Sequence, residues 1–381
     1  MSEAQPLLDG VAMSAPQIED ADIEAVTEAL RSGTLGLGPR AEAFEVACAV
    51  VAGVRHGVAV SSGTAGLHLI VRALGIGAGD RVATPSFTFA ASVNAFMYEG
   101  AEPVFVDVEP DTGNIDPAAL DAVGGDVSAA MVVDVFGHPA TWDGLTEVVT
   151  RHDMRAIDDS CEAIGATWRG RRCGSFGDAG AFAFYPNKQI TTGEGGMIVT
   201  DDEGLARRCR SLRNQGRGAM GSWLDHEALG FNYRMDELSA ALGVAQISRL
   251  DAFLEARATV ARRYTERLAG LDAVRSPVVR PGVRMSWFVY VIRLDPVVDR
   301  DRVLRSLADR GVPSRTYFPA VHLQPYIRER FATREGSLPV TEDLARRSLA
   351  LPFHNRLTEA QVERVVEALR GAIDEQASLR R

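Results

Sequence analysis

Between residues 57 and 158 the chain repeats one pattern, a short apolar run followed by a segment of helical period. Residues 57–60, 81–84, 103–108, 129–136 and 155–158 read as strands, and residues 65–74, 116–122 and 141–152 as helices, with a further helix running to Tyr98. Strands separated by helices need long crossover connections, so they pair in parallel and are covered on both faces. The expected class is therefore α/β, with a mainly parallel central sheet sandwiched by helices. Such a sheet binds ligands beyond the carboxyl ends of its strands. Residues 62–65, 87–89 and 158–162 fall there.

Upstream, residues 16–31 place Ile18, Ile23, Val26 and Leu30 at helical spacing, and a glycine-rich loop leads to a second helix over 40–51. Downstream, helices are expected over 203–212 and 250–268, with an irregular segment that becomes helical within 229–250. Beyond residue 250 the character changes. A strand over 287–294 and helices over 300–310 and 359–373 read as a smaller α+β unit. A chain of 381 residues is long enough for two domains, and the division is expected as 1–250 and 251–381.

Lys188 is the only lysine in the sequence; every other basic side chain counted with it is arginine. It sits in GAFAFYPNKQITTGEGGMIVT, residues 180–200, between two strand-like runs. An amine can form a Schiff base, and a permanently protonated guanidinium cannot. A genome that avoids lysine codons explains the scarcity but not the position of the survivor.

A formal charge of −10 opposes nucleic-acid binding, which favours a basic face. No run of about 18 apolar residues is present, so no membrane span is expected. The N-terminus lacks a basic stretch followed by an apolar one, and the four cysteines lack metal-ligand spacing. Reduced thiols, a cytoplasmic location and no metal are the corresponding expectations.

The turn Ser62-Gly63-Thr64-Ala65 joins a strand to a helix, where backbone N–H groups can converge on a phosphate. The same sequence also serves as an ordinary capped turn. Asp158 and Asp159 close a strand; they read as a solvated pair or turn cap, or as a carboxylate beneath a cofactor ring. The second alternative draws its support from the order of the parts: phosphate turn, aromatic, carboxylate, lysine.

With SGTLGLGP, SSGTAGLHL, PSFTFAAS, DDSCEAIGA, FAFYPNKQITTGEGGMIVT, LGFNYRMDEL and TYFPAVHLQPY, nearly the whole chain resembles the DegT/DnrJ/StrS family of sugar aminotransferases that depend on pyridoxal phosphate (PLP), within the fold-type-I superfamily. The resemblance implies that Lys188 is the Schiff-base lysine and proton shuttle, and that Asp159 partners the pyridinium nitrogen. Phe89 matches the aromatic that stacks on the ring, and Ser62, Gly63, Thr64 and Ala65 match the phosphate cup. Asn232 corresponds to the asparagine that reaches the phosphate of a neighbouring subunit, which implies a homodimer with shared sites. Tyr317 and His322 fall in the segment bordering the sugar, and His322 reads equally as a structural histidine. Arg217 and Trp223 lie in a loop that could touch the nucleotide.

Two positions depart from the family pattern. Glu162 replaces a more usual glutamine facing the cofactor's phenolic oxygen, where a carboxylate repels unless protonated or bonded elsewhere. Ala183 replaces a serine, removing one charge-assisted hydrogen bond of about 1.5–3 kcal/mol. Relatives that dehydrate carry histidine at the lysine position, so Lys188 favours transamination. The implied reaction takes an amino group from glutamate, through the pyridoxamine form, to a ketosugar linked to a nucleoside diphosphate. The alternatives are a keto-cyclitol acceptor, another reaction on the same cofactor, or a cofactor-binding regulator without turnover.

Overall fold

The computed structural model describes residues 10–218 and 225–379. The main sheet uses β1 (His56–Val60), β2 (Arg81–Pro85), β3 (Glu102–Val106), β4 (Ala129–Val133) and β5 (Arg155–Asp159). After a ribbon, β6 (Thr167–Trp168) and β7 (Arg171–Arg172), come β8 (Ala179–Ala183) and β9 (Gly196–Thr200). The order across the sheet is β1-β9-β8-β5-β4-β2-β3. From β8 to β3 the neighbours pair in parallel, whereas β9 runs antiparallel to both β8 and β1. The lysine segment is therefore the loop of a hairpin set within a parallel sheet. The sequence pattern of strands and helices gave no reason to expect that reversal, because strand direction leaves no mark on apolar spacing.

Alternation along the strands sorts side chains onto two faces. Val58, Met131, Ile157, Ala181 and Ile198 join one core with α3 (Gly63–Leu74) and α4 (Ala90–Met97). Ala59, Phe182, Met197 and Val199 join another with α2 (Pro39–Ala52), and Ala130 and Val132 pack under α5 (Pro117–Val123) and α6 (Trp142–Arg151). Both faces are thus dry, as a sheet of crossover connections requires.

The first helix, α1 (Asp20–Ser32), covers most of the stretch expected as helical over residues 16–31. Ile18 just before it and its own Ile23 and Leu30 face outward, 40%, 59% and 54% exposed, while Asp22 and Ala29 are buried. Asp22 points inward because Arg249 and Gln246 bind its carboxylate. An ion pair has overridden the helical stripe.

Helices α7 (Glu203–Arg213), α8 (Glu237–Ile247) and α9 (Leu250–Leu268) follow. Glu237 is fully buried and accepts the N–H groups of Arg40 and Ala41, so it caps α2, whose own Gly38 offers no side chain. The C-terminal part holds β10 (Val274–Arg275), β11 (Val283–Arg284), β12 (Tyr290–Leu294) and β13 (Ser348–Leu351). Its helices are α10 (Arg300–Asp309), α11 (Pro325–Phe331), α12 (Pro339–Arg347) and α13 (Glu359–Leu379). An antiparallel sheet β10-β12-β13 shares a separate core with α9, α10 and α13. Strand β11 instead joins the β6–β7 ribbon.

Candidate active site

A cavity of about 330 Å³ opens where β1, β4 and β5 end. Ser62, Gly63 and Thr64 line one side, Lys188 and Glu162 another, with Asp159, Phe89 and Tyr317 also on its wall. Asp159 is buried, whereas Phe89 is 64% exposed at the mouth. Eight of the sequence candidates meet in one place.

The Ser62 hydroxyl caps α3 by accepting the Ala65 N–H at 3.1 Å. That commits Ala65 to the cap. Gly63 and Thr64 are the first two residues of the helix, so no carbonyl lies one turn earlier to receive their N–H groups. Both donors stand at the positive end of the helix dipole, an arrangement suited to a phosphate. A Cβ on Gly63 would lie 2.7 Å from the Ala183 methyl carbon and 2.9 Å from Cys161 Sγ. Glycine is what the close approach of these three segments demands.

At the end of β5 the two adjacent aspartates point to opposite faces. Asp159 Oδ2 accepts the Ser92 hydroxyl at 2.6 Å, and Oδ1 accepts the Cys161 N–H at 3.2 Å. Since Ser92 gives its proton to Asp159, Thr88 must donate to Ser92, 2.9 Å away. Burial raises the Asp159 carboxyl above the ordinary range, opposed by these donors and the charge of Lys188.

Asp158 faces away from the cavity. Ser160 Oγ lies 2.6 Å from Asp158 Oδ1 and 2.8 Å from Asp134 Oδ2, but a hydroxyl has only one proton. For both contacts to be hydrogen bonds, one of the carboxyls must carry a proton. Burial, followed by the neighbouring Asp134 charge, drives Asp158 well above the usual carboxylate range.

Lys188 Nζ lies 3.5 Å from Glu162 Oε1 and 3.8 Å from the centroid of the Phe288 ring. Glu162 Oε2 accepts the Phe136 N–H at 2.9 Å, and burial raises this carboxyl too, against the pull of Lys188. The repulsion that a Glu162 carboxylate would offer an oxyanion is eased by its hydrogen bond from Phe136 and by its raised affinity for a proton.

Three candidates do not line the cavity. Ala65 serves the cap, as described. Asn232 is exposed; its neighbours pair with residues 212–215, and Tyr233 accepts the Ser61 N–H, so it stands beside the phosphate turn but faces outward. His322 is 1% exposed, with Ser86 Oγ at 2.7 Å from Nδ1 and Glu342 at 3.3 Å from Nε2. That enclosure favours the structural alternative for His322 over a sugar contact. Arg217 binds the Gln215 side chain and lies outside the cavity, and Trp223 is outside the described residues.

The sequence reading missed Ser92 and Phe288. Thr88 and Ser92 stand four apart, one helical turn, which was a readable pairing; Phe288 arrives from a distant segment with no local signal.

The cavity fits a flat phosphorylated ring. Open N–H donors stand at one end, a buried carboxylate on the wall, an aromatic at the mouth and an amine within reach. The chain matches the model of the DegT/DnrJ/EryC1/StrS aminotransferase family over residues 16–370. It is 39% identical over 367 residues to GDP-perosamine synthase of Caulobacter vibrioides, covering 95% of this chain and 98% of that protein. It is also 39% identical over 350 residues to dTDP-3-amino-3,4,6-trideoxy-alpha-D-glucose transaminase of Streptomyces venezuelae, covering 91% and 90%. Among solved structures, the PLP form of a putative sugar aminotransferase from Streptococcus pneumoniae matches with a TM-score of 0.91 at 26% identity, over 96% of this chain and 99% of that one.

Proposed function

The chain belongs to the DegT/DnrJ/EryC1/StrS aminotransferase family, and from that premise we propose that it transfers an amino group to the keto group of a sugar carried on a nucleoside diphosphate. Pyridoxal 5′-phosphate, the cofactor of the family, supplies an electron sink that lets a carbon-bound proton leave and return. The observation that carries the reading is the meeting of the sole lysine with a buried aspartate and an open helix N-terminus in one cavity.

In this reading Lys188 holds the cofactor through its amine and, once displaced, moves the proton. Asp159, positioned by Ser92 and Cys161, holds a proton on the ring nitrogen. Gly63, Thr64 and the Ser62 turn take the phosphate, and Phe89 covers the ring face. Glu162, held by Phe136, orients toward the phenolic oxygen. Tyr317 borders the acceptor, and glutamate is the donor.

The outward-facing Asn232 supports a homodimer in which it reaches the partner's phosphate. The separate core of the C-terminal part supports a division near residue 250, with α9 as the bridge. All four cysteines are free, which supports a reducing compartment such as the cytoplasm.

The test loads the enzyme with glutamate and then offers GDP- and dTDP-linked 3-keto and 4-keto sugars alongside a keto-cyclitol, with products read by mass spectrometry. An aminated nucleotide sugar together with 2-oxoglutarate is the expected result. Amination of the cyclitol alone would overturn the substrate assignment.

A further inference from the structure

Arg257 is 3% exposed, yet its guanidinium meets no carboxylate among the described residues; burial alone shifts it, down to about 9. It therefore remains charged at neutral pH. The comparable buried Arg213 is paired with Glu45. Arg257 instead gives its protons to backbone carbonyls: Nη2 to Lys188 at 2.9 Å, and Nη1 to Trp287 at 3.0 Å and Phe288 at 3.1 Å.

Those three carbonyls belong to the two segments that meet at the amine. One is the lysine's own peptide. The other two belong to the turn that carries Phe288, whose ring lies 3.8 Å from Nζ. Trp287 holds φ at 54°, a left-handed conformation that a bulky residue adopts only when its surroundings impose it. The guanidinium also stacks toward Phe353, its carbon 5.6 Å from that ring's centroid, so the clip reaches the strand end after β13. A planar group with donors in a fixed fork can bridge several acceptors at set angles.

We propose that Arg257 is a positioning residue for Lys188: its guanidinium ties the lysine peptide to the 287–288 turn and so fixes the amine against the Phe288 ring. This rests on the reading that Lys188 carries the cofactor. Arg257 touches no reacting atom. Its effect is to keep Nζ from wandering, which matters because small misplacements of a reacting group are costly in rate.

Hydrogen–deuterium exchange on the full chain tests the tie without any dependence on turnover. In Arg257→Met, peptides covering residues 185–190 and 286–290 should both exchange faster, on the order of fivefold or more. Leu254→Ala serves as a control on the same helix, since Leu254 is buried but packs on Gly165. At a matched loss of melting temperature it should not accelerate the two segments together. In the loaded enzyme, Arg257→Met should lower kcat about tenfold or more with the donor KM nearly kept, and Arg257→Lys should recover part of kcat.

Unchanged exchange in Arg257→Met, or equal acceleration in the Leu254→Ala control, overturns the proposal. Should Arg257→Met fail to fold, Arg257→Lys decides: a reduced kcat with KM kept supports the tie, and wild-type kcat overturns it. Full turnover by Lys188→Ala would instead sink the functional reading, and the exchange result would stand apart from it.

Discussion

Asp158 and Asp159 are the same side chain on consecutive residues, both buried and both raised in proton affinity, yet they face opposite sides of the sheet. On the cavity side Asp159 is held by a serine hydroxyl and a backbone N–H, with an amine across the cavity. On the far side Asp158 is enclosed by protein, sharing Ser160 with Asp134 and accepting the N–H groups of Gly174 and Phe176. The period-two geometry of a strand separates the two roles. Burial by itself does not mark the functional carboxylate; what marks it is an opening toward space that a ligand can fill.

The sharpest way to break this contrast is to remove each charge in turn. Asp159→Asn should lower turnover about 10²–10³-fold, the scale of losing a preorganised electrostatic partner. Asp158→Asn should stay within about threefold, since it keeps the shape and can still bond to Ser160. Equal losses measured by steady-state kinetics would erase the distinction.

Glu162 sharpens the cavity side. Its raised carboxyl takes up a proton as pH falls, which removes the negative charge 3.5 Å from Lys188. In Glu162→Gln that change disappears while a bond to the Phe136 N–H can persist. The acidic limb of kcat/KM against pH should therefore flatten, and an unaltered limb would show that Glu162 takes no part in it.

The smallest effect belongs to stability on the far side. Asp158 binds its proton more tightly in the native state than in the unfolded chain, where its pKa is about 3.9. The stabilisation from that proton is full below about pH 4 and declines as pH rises through the native value. The melting-temperature advantage of wild type over Asp158→Asn should shrink from pH 4 upward, read by calorimetry. A difference independent of pH would contradict the shared proton.

Much of this was legible in the residues. The alternation of strands and helices led to the layered sheet, and the order of phosphate turn, Phe89, Asp159 and Lys188 led to one cavity. The antiparallel β9 was not legible, because side-chain spacing carries no information about strand direction. Nor was the outward turn of Ile18, Ile23 and Leu30, which follows from Arg249 and Gln246 binding Asp22 from more than two hundred residues away. His322 could not be assigned from sequence, since Ser86 and Glu342 enclose it only in the fold. Arg257 did leave a trace: it interrupts the apolar stripe of Phe253, Leu254, Val260, Ala261 and Tyr264 along α9. A charge at such a position calls for partners that local sequence cannot supply.

The most direct measurement is to load the protein with pyridoxal 5′-phosphate, reduce it with borohydride and map the modified peptide by mass spectrometry. One reduced cofactor per chain on Lys188 is the expected result, with none retained by Lys188→Ala. Modification confined to the N-terminal amine, with Lys188 untouched, would contradict the account.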